Sequence, residues 1–116
     1  MQVMTQDALF VQIIDRALEE GANNLREWAD ITLHRADVWV EPHRDPQQGY
    51  ILTRETVARG VWRITGGQQM NRPAGWTAEQ HSQLSRAMSD LDADHLEPGT
   101  ASAVIQVGLY GEVRYR

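Results

Sequence analysis

Asp90, Asp92 and Asp94, in the run DLDADHLEPGTA, stand two residues apart, the spacing at which alternate side chains of a calcium loop reach one cation. The pattern breaks at the two positions such a loop needs most. Its sixth position holds His95 where the sharp turn takes Gly, and its twelfth holds Ala101 where a bidentate Glu closes the coordination sphere. The run therefore reads as an acidic, solvated helix end. The four histidines, His34, His43, His81 and His95, form no HxH, HxxxH or HExxH pair, so no local metal signature exists. His81 falls on an apolar helical stripe and reads as a half-buried residue satisfied by a neighbour. His43 sits in a Pro-flanked loop with no partner legible in sequence. Ser82, Ser85 and Ser102 lack the strand–turn–helix context of a nucleophile elbow.

With no Cys there is no disulfide framework, no thiolate zinc site and no cysteine nucleophile. All eleven basic residues are Arg, which excludes a Schiff-base lysine and a phosphate-loop lysine. The run TGGQQMNRPAGW, residues 65–76, has the glycines of a phosphate loop in the wrong place. They follow a helix, whereas a phosphate loop enters one from a strand. It reads as a connector, with Trp76 packing as a hydrophobic staple before the next helix. The expectation is a protein that is not an enzyme and uses no metal and no cofactor. An enzymatic alternative would require a pocket joining His43 or His81 to a carboxylate such as Asp90 or Asp92.

The arginines of the middle third are the candidate binding residues. The net charge of −5 is unevenly spread. Residues 1–45 carry four Arg against nine Asp or Glu, residues 46–76 four Arg against Glu55 alone, and residues 77–116 three Arg against six acids. Arg59 and Arg63 are four apart and share a helix face, with Arg54, Trp62 and Arg72 close in sequence. Arginine forks suit phosphates and carboxylates, and a neighbouring Trp adds a stacking plane. The competing structural role is pairing of Arg59 and Arg63 with the acidic outer thirds.

These side chains must be held by a single domain spanning residues 1–116, long enough for a modest core. A first helix starts at an N-cap on Thr5, with Asp7 in its first turn, and ends before Gly21. A second is expected to begin after Asn23 or Asn24 and to run through Leu25, Trp28, Ala29 and Thr32 to about Arg35. DVWVEP reads as a short edge strand stopped by Pro42, followed by a turn-rich loop to Gly49. Tyr50, Ile51 and Leu52 lead into Thr53, which caps a helix carrying Val57, Val61 and Ile64 and stopped by Gly66. Gly60 inside that helix costs about 1 kcal/mol relative to Ala, a cost that close approach of another backbone would explain. TAEQ, residues 77–80, is a capping box for a helix with His81, Leu84, Met88 and Leu91 on one stripe.

Thr100 is read as the cap of a last segment, residues 101–110, ended by Gly111. Its β-branched Val104, Ile105 and Val107 make a strand the rival to a helix. The helical reading places the first and last helices against each other at the centre, with Gly108 admitting a close neighbour and EVRYR forming a terminal strand. The fold class expected is mainly α, a bundle of about five helices with short edge strands, and α+β is the alternative. The start MQVMTQDALF shows no secretory pattern and no apolar run reaches the ~20 residues of a membrane span, so a cytoplasmic protein is expected.

The C-terminal run AVIQVGLYGEVRYR, residues 103–116, resembles the tails of small accessory proteins of high-GC actinobacteria and their phages. The resemblance covers the last quarter and carries no catalytic residue. It implies a phage or mobile-element product found in the host cytoplasm. The function expected is protein–protein interaction with a host or phage protein, inhibiting a host defence or nucleic-acid-processing protein. The alternative is a nucleic-acid-binding module using Arg54, Arg59, Arg63 and Arg72.

Overall fold

A computed structural model describes residues 5–35, 37–45, 47–66 and 73–115. Helix α1 (Gln6–Leu18) opens as its sequence requires. Thr5 Oγ1 accepts from Ala8 N at 3.2 Å, and Leu9, Phe10, Ile13, Ile14 and Ala17 are buried along one stripe. The chain then departs from the expected second helix. Asn24 does not cap a new helix with its side chain; its Nδ2 donates to Glu19 O, at the end of α1, at 2.7 Å. A single 3-10 turn (Leu25–Glu27) follows, and residues 29–34 are extended as β1 (Ala29–His34). Trp28 explains the change. Its indole Nε1 donates to Ser102 Oγ at 2.8 Å, which anchors the chain before β1 in the core, and Ala29 and Ile31 then alternate inward against Asp30 and Thr32 outward.

Strands β1, β2 (Asp37–Pro42) and β3 (Tyr50–Leu52) form an antiparallel sheet in the order β1-β2-β3. DVWVEP is thus the central strand, not an edge. Pro42 is tolerated because it is the last residue of the strand, opposite Ala29, while His43 N donates to Trp28 O at 2.9 Å just beyond it.

Helix α2 (Arg54–Thr65) begins with a reciprocal capping box between Thr53 and Thr56, and α3 (Ala78–Asp90) with one between Thr77 and Gln80. Trp76, just before that cap, is buried, and its Nε1 donates to His81 Nδ1 at 3.3 Å across the first turn. The staple and the satisfied half-buried histidine are therefore one feature. The run 67–72 of the connector lies outside the described residues.

Helix α4 (Pro98–Tyr110) takes the helical alternative despite its β-branched run. It starts earlier than expected, with Glu97 as N-cap and Pro98 at the first position, so Thr100 is a buried residue inside it rather than its cap. Every residue from Thr100 to Gly108 is buried, and α1 and α2 both pack on it. The central pairing of first and last helices holds, with α2 as a second close neighbour. Residues 112–115 are not a strand. They fold back along α4, where the buried Gln106 amide accepts from Arg114 N and Tyr115 N at 2.8 and 2.7 Å and donates to Tyr115 O at 3.0 Å. A side chain thus supplies the bonds a neighbouring strand would have made.

The described residues hold four α-helices, two 3-10 turns and three strands. The architecture is α+β, the alternative fold class, with four α-helices and a three-stranded sheet where a mainly α bundle of about five helices was expected. The expected second helix is the first strand of the sheet.

Candidate interaction surfaces

Helix α2 carries the predicted site. Val57, Gly60, Val61 and Ile64 face inward and bring α2 onto α4 with almost no room to spare. A Cβ on Gly60 would overlap the Val104 carbonyl oxygen and lie 3.1 Å from Gly108 N. A Cβ on Gly108 would likewise overlap the Thr56 carbonyl oxygen. Gly60 and Gly108 are the two halves of one backbone-to-backbone crossing, the close approach the helix-interior glycine had called for.

That crossing decides where the arginines go. Arg59 Nε donates to Gly108 O at 2.8 Å, and Arg63 Nη1 donates to Val107 O at 2.8 Å and Gly108 O at 3.4 Å. These carbonyls lie in the last turn of α4, which has no basic residue of its own. Two guanidinium groups from α2 therefore bind main-chain acceptors at the negative end of the helix dipole, and Val107 O accepts from Gly111 N as well. Their internal partners are helix-end carbonyls, not the acidic residues of the outer thirds.

Arg54 sits apart at the start of α2, 3.6 Å from Glu55 and 3.9 Å from Asp7. The Glu55 carboxyl is held below its ordinary value by its own backbone amide first, then by the Thr53 hydroxyl. Arg72 lies outside the described residues. The structure thus brings Arg59 and Arg63 together over the end of α4 and leaves Arg54 elsewhere.

Trp62 is 69% exposed, the most exposed large apolar side chain described. It borders a groove of about 590 Å³ between α1, α2 and the end of α3, lined by Phe10, Ala58, Val61, Thr65 and Met88, with Gln6 and Arg59 also lining it. The lining is mostly apolar, and among the described residues no charged pair or metal-ligating cluster stands in it.

The histidines do not converge. His43 Nε2 lies 3.2 Å from Asp30 Oδ1 at the surface, His95 Nε2 lies 2.7 Å from Asp90 Oδ2, and His81 is held by Trp76. Asp92 Oδ1 accepts from Asp94 N at 3.0 Å, the local bond of an acidic turn. Asp92 and Asp94 face Asp15 and Glu19 of α1 across an open cleft, where Arg16 is paired with Glu19 and donates to Leu96 O. Among the described residues no group of three or more His, Asp or Glu could hold a metal ion, and no helix is long and apolar enough to cross a membrane.

One surface escaped the reading of the sequence. Thr32, Trp39 and Ile51 form a row on the outer face of the sheet, where Trp39 and Ile51 stay 38% and 43% exposed. The signal was present in the alternation of DVWVEP and YIL, which puts Trp39 and Ile51 on the face opposite Val40 and Leu52. Comparisons of the chain with protein-family models, with curated proteins and with solved structures find no match.

Proposed function

We propose that this chain is a small non-enzymatic accessory protein of phage or mobile-element type that acts by binding another protein. Its target is a host defence or nucleic-acid-processing protein, which it inhibits. One observation carries the binding reading: Trp62 stands exposed beside a groove walled by Phe10, Ala58, Val61 and Met88. An exposed Trp next to an apolar recess is what a binding hot spot requires, an aromatic anchor with room for a partner side chain. The acidic balance of the chain supports a partner with a basic surface, and the C-terminal resemblance supports the phage or mobile-element origin.

The nucleic-acid alternative is the weaker one. Arg59 and Arg63, half of the four arginines it needs, already donate to the carbonyls of α4. The two readings separate in one experiment. The full chain and its Trp62→Ala variant are immobilised and exposed to lysate of a high-GC actinobacterium at low salt and at about 0.15 M. A discrete protein retained by the wild type and lost from Trp62→Ala supports the proposal. No retention above background, or retention abolished by nuclease, refutes it.

A further inference from the structure

Asp30 and Glu41 stand directly opposite each other on the outer face of the sheet, in the row next to Thr32, Trp39 and Ile51. Like charges facing across an antiparallel pair destabilise it. His43 Nε2 lies within hydrogen-bond reach of Asp30 Oδ1 at 3.2 Å, but among the described residues Glu41 has no such partner. Residues two apart on a strand are separated by about 7 Å, within the reach of one long side chain. The face therefore presents an indole, an aliphatic side chain and two carboxylates that nothing in the fold neutralises in full.

We propose that this face docks a basic segment of a partner protein, with arginine as the side chain it recognises. The inference rests on the reading that the protein acts by protein contact, and it adds the chemistry of the partner. A guanidinium stacks on the Trp39 indole while its fork reaches the carboxylates of Asp30 and Glu41. The aliphatic stem of the same side chain lies along Ile51 and Thr32. The three strands carry Asp30, Asp37 and Glu41 and no arginine, a local negative balance that steers a basic segment toward the face.

The test is a titration of the isotope-labelled full chain, followed by NMR, with a dodecapeptide of alternating Arg and Gly and with its Glu counterpart. Both are added at about 50 mM and about 300 mM salt. The signals of Thr32, Trp39 and Ile51 are expected to move saturably with the Arg peptide, to stay still with the Glu peptide, and to respond more weakly at the higher salt. Trp39→Ala and the double variant Asp30→Asn/Glu41→Gln are each expected to bind about tenfold more weakly. The double variant should melt no lower than the wild type, because it removes two opposed carboxylates, so its loss of binding is not a loss of fold.

Three results would overturn the inference: unchanged affinity in the double variant, shifts confined to the cleft of Asp15, Asp92 and Asp94, or self-association that Trp39→Ala abolishes. Specific binding here without any capture through Trp62 would remove the groove reading and leave this one standing. Capture through Trp62 with a silent sheet face would remove this inference alone.

Discussion

Gly60→Ala is the substitution on which the helix crossing stands or falls. In an exposed helix interior the change adds about 1 kcal/mol of stability through helix propensity. Here the added methyl group would overlap the Val104 carbonyl oxygen and sit 3.2 Å from its carbon, with Gly108 N at 3.1 Å. These neighbours are backbone atoms of the buried stretch of α4 and cannot swing aside. Restoring an ordinary C···O separation of about 3.3 Å requires α2 and α4 to part by roughly 1 Å. That loosens Val57, Val61 and Ile64 against α4, an overpacking cost of about 1–3 kcal/mol. It also stretches the Arg59 and Arg63 bonds to the end of α4, where charge-assisted hydrogen bonds contribute about 1.5 kcal/mol or more. After the propensity gain, the net loss is about 2 kcal/mol, or a fall in Tm of about 6–10 °C for a domain of this size. Thermal unfolding followed by circular dichroism reads it, with exposed Ser85→Ala on α3 as the control expected to change little. A Gly60→Ala protein that melts at or above the wild-type temperature would refute the crossing.

Removing both helix-end donors with Arg59→Ala/Arg63→Ala should lower stability by about 1–3 kcal/mol in denaturant unfolding, with Arg63→Lys recovering part of it. Ile105→Ala, at a fully buried position of α4, should cost about 2–5 kcal/mol by the same measurement. Tyr110→Phe should be neutral or slightly stabilising at pH 7, because the buried hydroxyl has no hydrogen-bond partner among the described residues. Burial first, then the nearby phenols of Tyr50 and Tyr115, raises the Tyr110 phenol above its ordinary value of 10.0. Both folded and unfolded chains hold that proton below pH 10, so its contribution is complete there; above it the unfolded chain ionises first and stability falls. A pH series of Tm values should therefore fall less steeply above pH 10 in Tyr110→Phe than in the wild type.

Local signals of capping and close packing were legible because each is written in a few adjacent residues. Thr5, Thr53 and the Thr77–Gln80 box start the helices they were read to start, and Gly66 and Gly111 stop theirs. Gly60 and Gly108 were each read as sites of close approach, though only coordinates show that they face each other. Residues 25–35 were misread because Leu25, Trp28, Ala29 and Thr32 fit helical spacing. What decides their conformation is the Trp28 bond to Ser102, more than seventy residues away. The terminal strand failed for a related reason, since Gln106 takes the place of a strand partner. Arg59 and Arg63 were weighed against phosphates and carboxylates, but their acceptors are main-chain carbonyls at the end of a helix, a partner no residue type announces. Trp39 was visible in the pattern of its strand. Placing that strand at an edge hid that its open face is flanked on both sides.

The central claim is that the exposed apolar surface at Trp62, and not the arginines beside it, contacts the partner, and that this partner is a protein. Photo-crosslinking tests it most directly. A benzoylphenylalanine is placed at position 62 of the full chain, and at exposed Ser82 of α3 as the control, in cells of a high-GC actinobacterium. The account predicts a discrete protein crosslinked from position 62, absent from position 82 and unchanged when Arg59→Ala is added. A crosslink to nucleic acid, or the same faint background from both positions, would contradict it.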